Sequence, residues 1–408
     1  MEERPEVRSG SGDGEGSATW RPGLIGWLLV LLLFCLPMQF RTGAGPRIAP
    51  SDLFLGLALL GSLWQMRVLK SAWSIWHLGL LLMFTGGLAV AAAGPGGVGS
   101  YALVQKGFGL ILLFLLYAVL TAYACDWTRI QGLLRTFVLS VTVHNLIAMI
   151  AFFADFQAPW INSYSGRLSG MLIDPNAYGG LLVVTFAIHA ATSFLRAPLV
   201  GGVLGLFTTL TMAMGIFLTF SRSSWIGMAL VLAVMTVLRP RLVPKLFALL
   251  AVAAGAVLLV KGTEYIGIIT EMATRENQIA VRLDLIHTGW EMFYESPLLG
   301  AGLGTFYETQ GAIIHNTLFW ILTEFGLVGI SVFLGFILWF GWRGWVAYRL
   351  AGPKERPLLL GLLLAHVAMI GLSMGIEATY QRHWWLVLAM IAAAAESANG
   401  KRGRHGRT

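Results

Sequence analysis

Apolar stretches of about 17–25 residues recur from one end of this chain to the other, the length a helix needs to cross a bilayer. Few folds are open to such a chain, because backbone polar groups inside hydrocarbon must find their partners within the protein. Composition agrees: 57% of the 408 residues are hydrophobic and 12% are charged, against about 25% charged in soluble domains. The expectation is one all-α polytopic membrane domain rather than a soluble helical core.

Twelve spans are expected, at about 23–40, 51–66, 76–93, 101–125, 133–155, 177–195, 199–219, 223–238, 243–260, 315–340, 357–376 and 383–397. The second and last are short, and apolar sequence is nearly continuous between the seventh and eighth. Lysine and arginine orient them. With the N-terminus inside, about 19 of the 28 basic residues fall in inward segments such as MRVLK, LRPRLVPK and WRGWVAYRLAGPKERP and in the final KRGRHGRT. Both termini are therefore expected in the cytoplasm, with 1–22 a disordered tail, 23–397 the membrane domain and 398–408 a basic tail. Residues 1–22 carry Glu2, Glu3, Glu6, Asp13 and Glu15, which does not fit a signal peptide, so the first apolar run reads as a retained span.

The net charge of +8 is spread through short loops rather than gathered on one soluble face, and it does not point to nucleic acid. Cys35 and Cys125 fall at different depths and give no disulfide framework. Two outward loops are long, at about 156–176 and 261–314. The second contains a helix of its own: Leu283, Ile286, Trp290 and Phe293 recur at helical spacing, and Pro297 ends the run.

Three arginines and one histidine stand at outward edges of apolar runs: Arg167 in SGRLSGMLIDPNAYGG (165–180), Arg222 in TFSRSSWIG (219–227), Arg282 in AVRLDLIHTGW (280–290) and His315 in IIHNTLFWILTEFGLVG (313–329). An arginine at the bilayer centre costs roughly 2.5–3.5 kcal/mol on insertion scales. Arg222 opens a span between Ser221 and Ser223, where free helix N–H groups attract anions and a guanidinium fork fits phosphate oxygens. Its plain alternative is an interfacial arginine reaching for headgroups. Arg282 near the start of the loop helix opposes that helix's dipole, so its placement does not serve helix stability. Arg167 lies in a Gly- and Pro-broken loop that re-enters at Asn176, and irregular backbone at membrane depth lines cavities or is buried. Asp174 caps or orients its neighbours.

His315 meets the same face. A lone histidine is more often structural, but nearby positive charge lowers its pKa and keeps it neutral, ready to take a proton from a sugar hydroxyl. Together the four read as a diphosphate site with a base beside it.

Other polar residues rank lower. His144, Asn145 and His189 fall within spans and read as interhelical hydrogen bonds. Glu324 is nine residues past His315, on the opposite side of an ideal helix, and reads as support for packing. Glu377, Tyr380 and Arg382 form the last outward loop and are within reach of the site. The GAGLG of 300–304 has no strand before it and reads as a flexible return to the membrane. No metal-binding spacing stands in an outward loop, so no metal is expected.

In order and spacing, SGRLSGMLIDPNAYGG, TFSRSSWIG, RLDLIHTGW followed by SPLLGAGLGTF, and HNTLFWILTEFGLVG resemble the O-antigen ligase and polymerase superfamily of bacterial membrane glycosyltransferases over about 160–330. The resemblance implies a C-type glycosyltransferase-like membrane fold and a metal-independent, inverting transferase in the inner membrane with a periplasmic active site and no cofactor. Its donor would be an undecaprenyl-diphosphate-linked glycan. Arg222 and Arg282, with Arg167, would hold the diphosphate. His315 would activate the acceptor hydroxyl, supported by Ser221, Ser223, Asp174, Asn176, Asn316 and Arg382. Lipid A core is the leading acceptor. A polymerase of O-antigen or exopolysaccharide repeat units is the alternative, although the polymerase spacing of Arg, ten residues, then Gly fails at Arg167 because Gly179 comes one residue late. A lipid-linked glycan flippase is the rival from another class, and it would place its polar groups near the midplane rather than at one face. Membrane lipids are partners in every case, and the sequence leaves the oligomeric state open.

Overall fold

The computed structural model describes residues 20–39, 49–65, 71–156, 162–164, 166–172, 174–274 and 276–405. Most of the expected N-terminal tail, residues 1–19, lies outside the described residues, as does the end of the basic tail. The helices are α1 (Leu24–Cys35), α2 (Pro50–Trp64), α3 (Ile75–Ala93), α4 (Phe108–Tyr123, preceded by a π-helical turn Tyr101–Gly107), α5 (Trp127–Phe153), α6 (Pro175–Phe194), α7 (Gly202–Leu218), α8 (Arg222–Leu238), α9 (Val243–Thr274), α10 (Glu276–Glu295), α11 (Thr305–Gln310), α12 (Thr317–Leu350), α13 (Arg356–Leu372) and α14 (Arg382–His405). The protein is an all-α polytopic membrane protein.

Each expected span corresponds to a helix. Among the described residues, six segments are long and apolar enough to cross a membrane by length and composition, in α3, α4, α5, α6, α9 and α12. Five others, α1, α2, α7, α8 and α13, are apolar but only 12 to 17 residues long. Large apolar side chains such as Val237, Leu259, Leu338 and Trp342 project from the flanks, as in a bundle that lipid surrounds. The short turn between α7 and α8 is real: Phe220 takes a positive φ of 46° and separates the two helices.

Four expectations change. The loop expected over 261–314 is mostly helical, because α9 continues past a kink at Gly262 to Thr274 and α10 follows. The expected helix of Leu283, Ile286, Trp290 and Phe293 is α10. The loop expected over 156–176 holds a small antiparallel hairpin, β1 (Asn162–Tyr164) and β2 (Arg167–Gly170), which gives the backbone between two spans its own hydrogen bonds. The basic tail begins as helix, because α14 runs through to His405.

The GAGLG segment is not a flexible return. Helix α12 breaks at Gly326 (φ 64°, ψ −159°). The break frees the amides of Leu327 and Val328 and the carbonyls of Thr323 and Glu324, which would otherwise bond to each other across one helical turn. Residues 297–302 satisfy all four. Leu327 and Val328 donate to the carbonyls of Pro297 (2.9 Å) and Leu298 (3.1 Å), and Ala301 and Gly302 donate to those of Thr323 (2.9 Å) and Glu324 (3.0 Å). The Leu303 amide then reaches the Gly87 carbonyl in α3 (2.9 Å). Buried Glu324 closes the arrangement by accepting from the Gly304 amide at 2.9 Å, a packing role as its spacing suggests.

Only glycine fits Gly326. Its φ,ψ pair is essentially glycine-only, and a Cβ there would lie 2.5 Å from the Leu298 carbonyl carbon. Gly326→Ala is expected to destabilise the fold by about 1–3 kcal/mol or more, read as a lower thermal unfolding midpoint of the purified protein in detergent.

Close packing brings the helix starts to a common end. Helices α8 and α13 cross where Gly227 meets Gly371, and a Cβ on Gly371 would lie 2.8 Å from the Gly227 Cα. Small residues at a crossing let backbones approach this closely. Arg222, at the start of α8, is thereby held near the loop that follows α13. Polar caps fix the same end: Asp174 caps α6, Ser221 caps α8 and Asn316 caps α12, each accepting from a first-turn amide.

Candidate functional site

His315 lies in the link 311–316, two residues before α12 begins at Thr317, half-buried. Backbone and side-chain bonds clamp the next residues to the loop after α13. The Thr317 amide donates to the Ser373 carbonyl (2.8 Å) and Asn316 Nδ2 to the Met374 carbonyl (3.3 Å). Thr317 Oγ1 donates to the Ile376 carbonyl and accepts from the Ala378 amide, both at 2.7 Å. Asn316 Oδ1 meanwhile caps α12 through the Phe319 amide (3.0 Å). Asn316 therefore spends its side chain on holding His315's segment in place.

Arg222 is the first residue of α8 and is exposed. Its flanking serines work inward. Ser221 caps the helix through the Ser224 amide (3.2 Å), and Ser223 is buried against Gly375. The sequence places both serines in the site; the structure gives them the task of fixing where Arg222 begins.

Arg282 lies in α10, half-buried. Burial lowers its pKa from the ordinary arginine value, the like charge of Arg222 lowers it further, and Asp174 opposes both. An arginine stays charged through such a shift, so two like charges act on each other here. His315 is influenced by the same groups. Burial lowers its pKa first, Arg282 second, while Asp174 and Glu377 pull it back up. These influences place Arg222, Arg282, Asp174, Glu377 and His315 in one electrostatic cluster, drawn from α8, α10, the start of α6, the loop after α13 and the start of α12.

Arg167 works differently. Its Nε donates to the Thr219 carbonyl at the end of α7, and its Nη2 donates to Asn176 Oδ1, both at 2.9 Å. Asn176 is itself held by Asp174, whose Oδ1 accepts from the Asn176 amide (2.9 Å) and from Nδ2 (3.0 Å). Arg167 thus commits donors to a chain that satisfies a free helix-end carbonyl and sets the Asp174 carboxylate. Arg382 pairs with Asp52 at 2.8 Å, tying the start of α14 to the start of α2, and it exerts no resolved influence on His315 or Arg282.

Lys106 and Glu377 add a buried ion pair that the sequence motifs do not contain. Both carry a legible signal: each is an isolated ionisable residue at the edge of an apolar run, which in a membrane protein points to function. Among the described residues no three of His, Cys, Asp and Glu come together as metal ligands would.

The cluster offers two fixed positive charges, a base held neutral at ordinary pH and two carboxylates that tune it. That arrangement can bind a diphosphate and accept a proton beside it. A family model described as O-antigen ligase matches residues 207–334, a stretch that holds Arg222, Arg282 and His315. No curated protein matches the chain.

Proposed function

We propose, from the match of residues 207–334 to the O-antigen ligase family model, that the chain transfers a glycan from undecaprenyl diphosphate to a hydroxyl of the lipid A core. The reaction would take place at the periplasmic face of the bacterial inner membrane, with both termini in the cytoplasm. The observation that carries this reading is that Arg222 at the start of α8, Arg282 within α10 and His315 just before α12 belong to one electrostatic cluster.

Arg222 and Arg282 hold the donor's diphosphate. As the bond from the anomeric carbon to the diphosphate oxygen breaks, charge grows on that oxygen, and fixed guanidinium groups stabilise it without reorganising. His315 takes the proton from the acceptor hydroxyl while its oxygen bonds to the anomeric carbon. One displacement of this kind inverts the centre. Diphosphate is already a good leaving group, so neither a separate acid nor a metal is required by the chemistry.

A neutral base sets a pH dependence. His315 must be unprotonated to act, so transfer rises with pH through its pKa and levels off above it. Its pKa is lowered, so the half-maximal point on the acid side is expected below the ordinary histidine value of about 6.5. Initial rates across pH with purified enzyme, donor and acceptor check this.

The reading is tested by a surface-glycan gel from a host lacking the gene, complemented with wild type or His315→Ala. Loss of O-antigen from intact lipid A core supports the ligase. Core carrying a single repeat unit shows a polymerase, and unchanged lipopolysaccharide moves the acceptor to another polymer or to protein.

A further inference from the structure

Lys106 sits at the start of the fourth span with 4% of its surface exposed. Its ammonium pairs with Glu377, whose side chain is 11% exposed. It also lies 4.6 Å from the ring centroids of Trp320 and Tyr380 and 5.2 Å from that of Tyr101. Stability gives little reason for such a pair. Desolvating two charges offsets most of their attraction, and well-packed apolar side chains of the same volume are often as stable or more so. The three rings do narrow where a long, flexible lysine can put its charge.

What the pair holds is a carboxylate on a loop fastened to the His315 segment. Glu377 belongs to the loop after α13, and four hydrogen bonds fasten that loop to Asn316 and Thr317, the residues directly after His315. The charges that act on His315 are those of Arg282 from α10, Asp174 from the start of α6 and Glu377 from this loop. The titratable groups that interact with Glu377 are Lys106, His315, Glu324 and Tyr380.

We infer that Lys106 and Glu377 are positioning residues for His315: the caged ammonium fixes the carboxylate, and the carboxylate orients the imidazole and meets the imidazolium once it forms. This rests on the reading of His315 as the base. The proton moves from the acceptor hydroxyl to a ring nitrogen of His315, and Glu377 and Lys106 neither gain nor lose one. The arrangement follows the logic by which a buried carboxylate serves a catalytic histidine in hydrolases. It also balances Arg282, whose positive charge opposes protonation of the same ring.

The test uses the full-length protein in two readouts. The first is the pH midpoint of His315, read by mass spectrometry from exchange of its ring C2 hydrogen, which needs no activity. Glu377→Gln removes the negative charge and leaves Arg282, so the midpoint is expected to fall by on the order of one pH unit. Lys106→Met leaves the carboxylate un-neutralised, and the midpoint is expected to rise. The double variant Lys106→Met, Glu377→Gln removes both buried charges, avoids an unpaired one and should shift the midpoint downward. The second readout is transfer: kcat should fall at least about tenfold in the double variant, within the roughly 10²–10⁴ that a base supplies, with donor KM unchanged.

A midpoint that stays put in Glu377→Gln and in the double variant overturns the inference. So does a rise in donor KM at constant kcat, which would make the pair part of donor binding. Transfer that survives His315→Ala would instead overturn the base assignment, while the exchange midpoints would still report whether the carboxylate faces the ring.

Discussion

His315→Ala is expected to lower glycan transfer by about 10²–10⁴ while leaving the folded protein and donor binding intact. The three parts of that expectation have separate grounds. The rate falls because the acceptor hydroxyl loses the group that takes its proton as the new bond forms. Folding survives because His315 is half-buried and the bonds that anchor its segment belong to Asn316 and Thr317, which the substitution leaves in place. Donor binding survives because Arg222 and Arg282 come from α8 and α10, not from the segment that carries the histidine. Steady-state transfer beside direct binding of a polyprenyl-diphosphate donor separates the outcomes. A variant that binds donor and transfers normally removes the base from the mechanism; one that neither binds nor folds shows His315 to be structural.

Much of this end of the molecule was legible because charge is costly in apolar sequence. Arg222, Arg282 and His315 stood out for that reason, and the structure joins them. Ser221 and Asn316 are polar neighbours of these charges that cap helices, because a short polar side chain before a helix serves the first-turn amides as readily as a ligand, and Ser223 is buried against Gly375. Arg382 and Lys106 show a deeper limit. Asp52 is 330 residues from Arg382 and Glu377 is 271 from Lys106, and nothing in local spacing says which pair belongs to the site and which merely ties two helix ends. The GAGLG segment shows the same limit of local sequence. Three glycines in a row of five signal flexibility locally, but here the backbone mends a break in α12 at Gly326. Polar groups released inside the bundle are satisfied by that segment rather than offered to a passing substrate, which also weakens the transporter reading.

Arg222→Gln and Arg282→Gln are each expected to reduce kcat/KM for the donor by about 10²–10³, the scale on which single charge-stabilising groups act, and they should differ in everything else. Arg222 is exposed at the first position of α8, where a positive charge opposes the helix dipole. Its removal should leave the unfolding midpoint unchanged or slightly raised, so that loss of rate cannot be ascribed to loss of fold. Arg222→Lys should recover little, because an ammonium lacks the planar fork that grips two phosphate oxygens. Arg282 does a second thing: its charge helps hold the His315 pKa down. In Arg282→Gln that restraint is gone, the imidazole protonates more readily, and the acid limb of the rate profile should move to higher pH. No such shift of similar size is expected in Arg222→Gln, since Arg222 exerts no resolved influence on His315. The double variant should lose less than the product of the two single losses, because both groups act on one diphosphate and the first removal already spoils its alignment. Fully multiplicative losses would mean that the two arginines serve separate ligands, and an unshifted acid limb in Arg282→Gln would mean that Arg282 and His315 do not share a site.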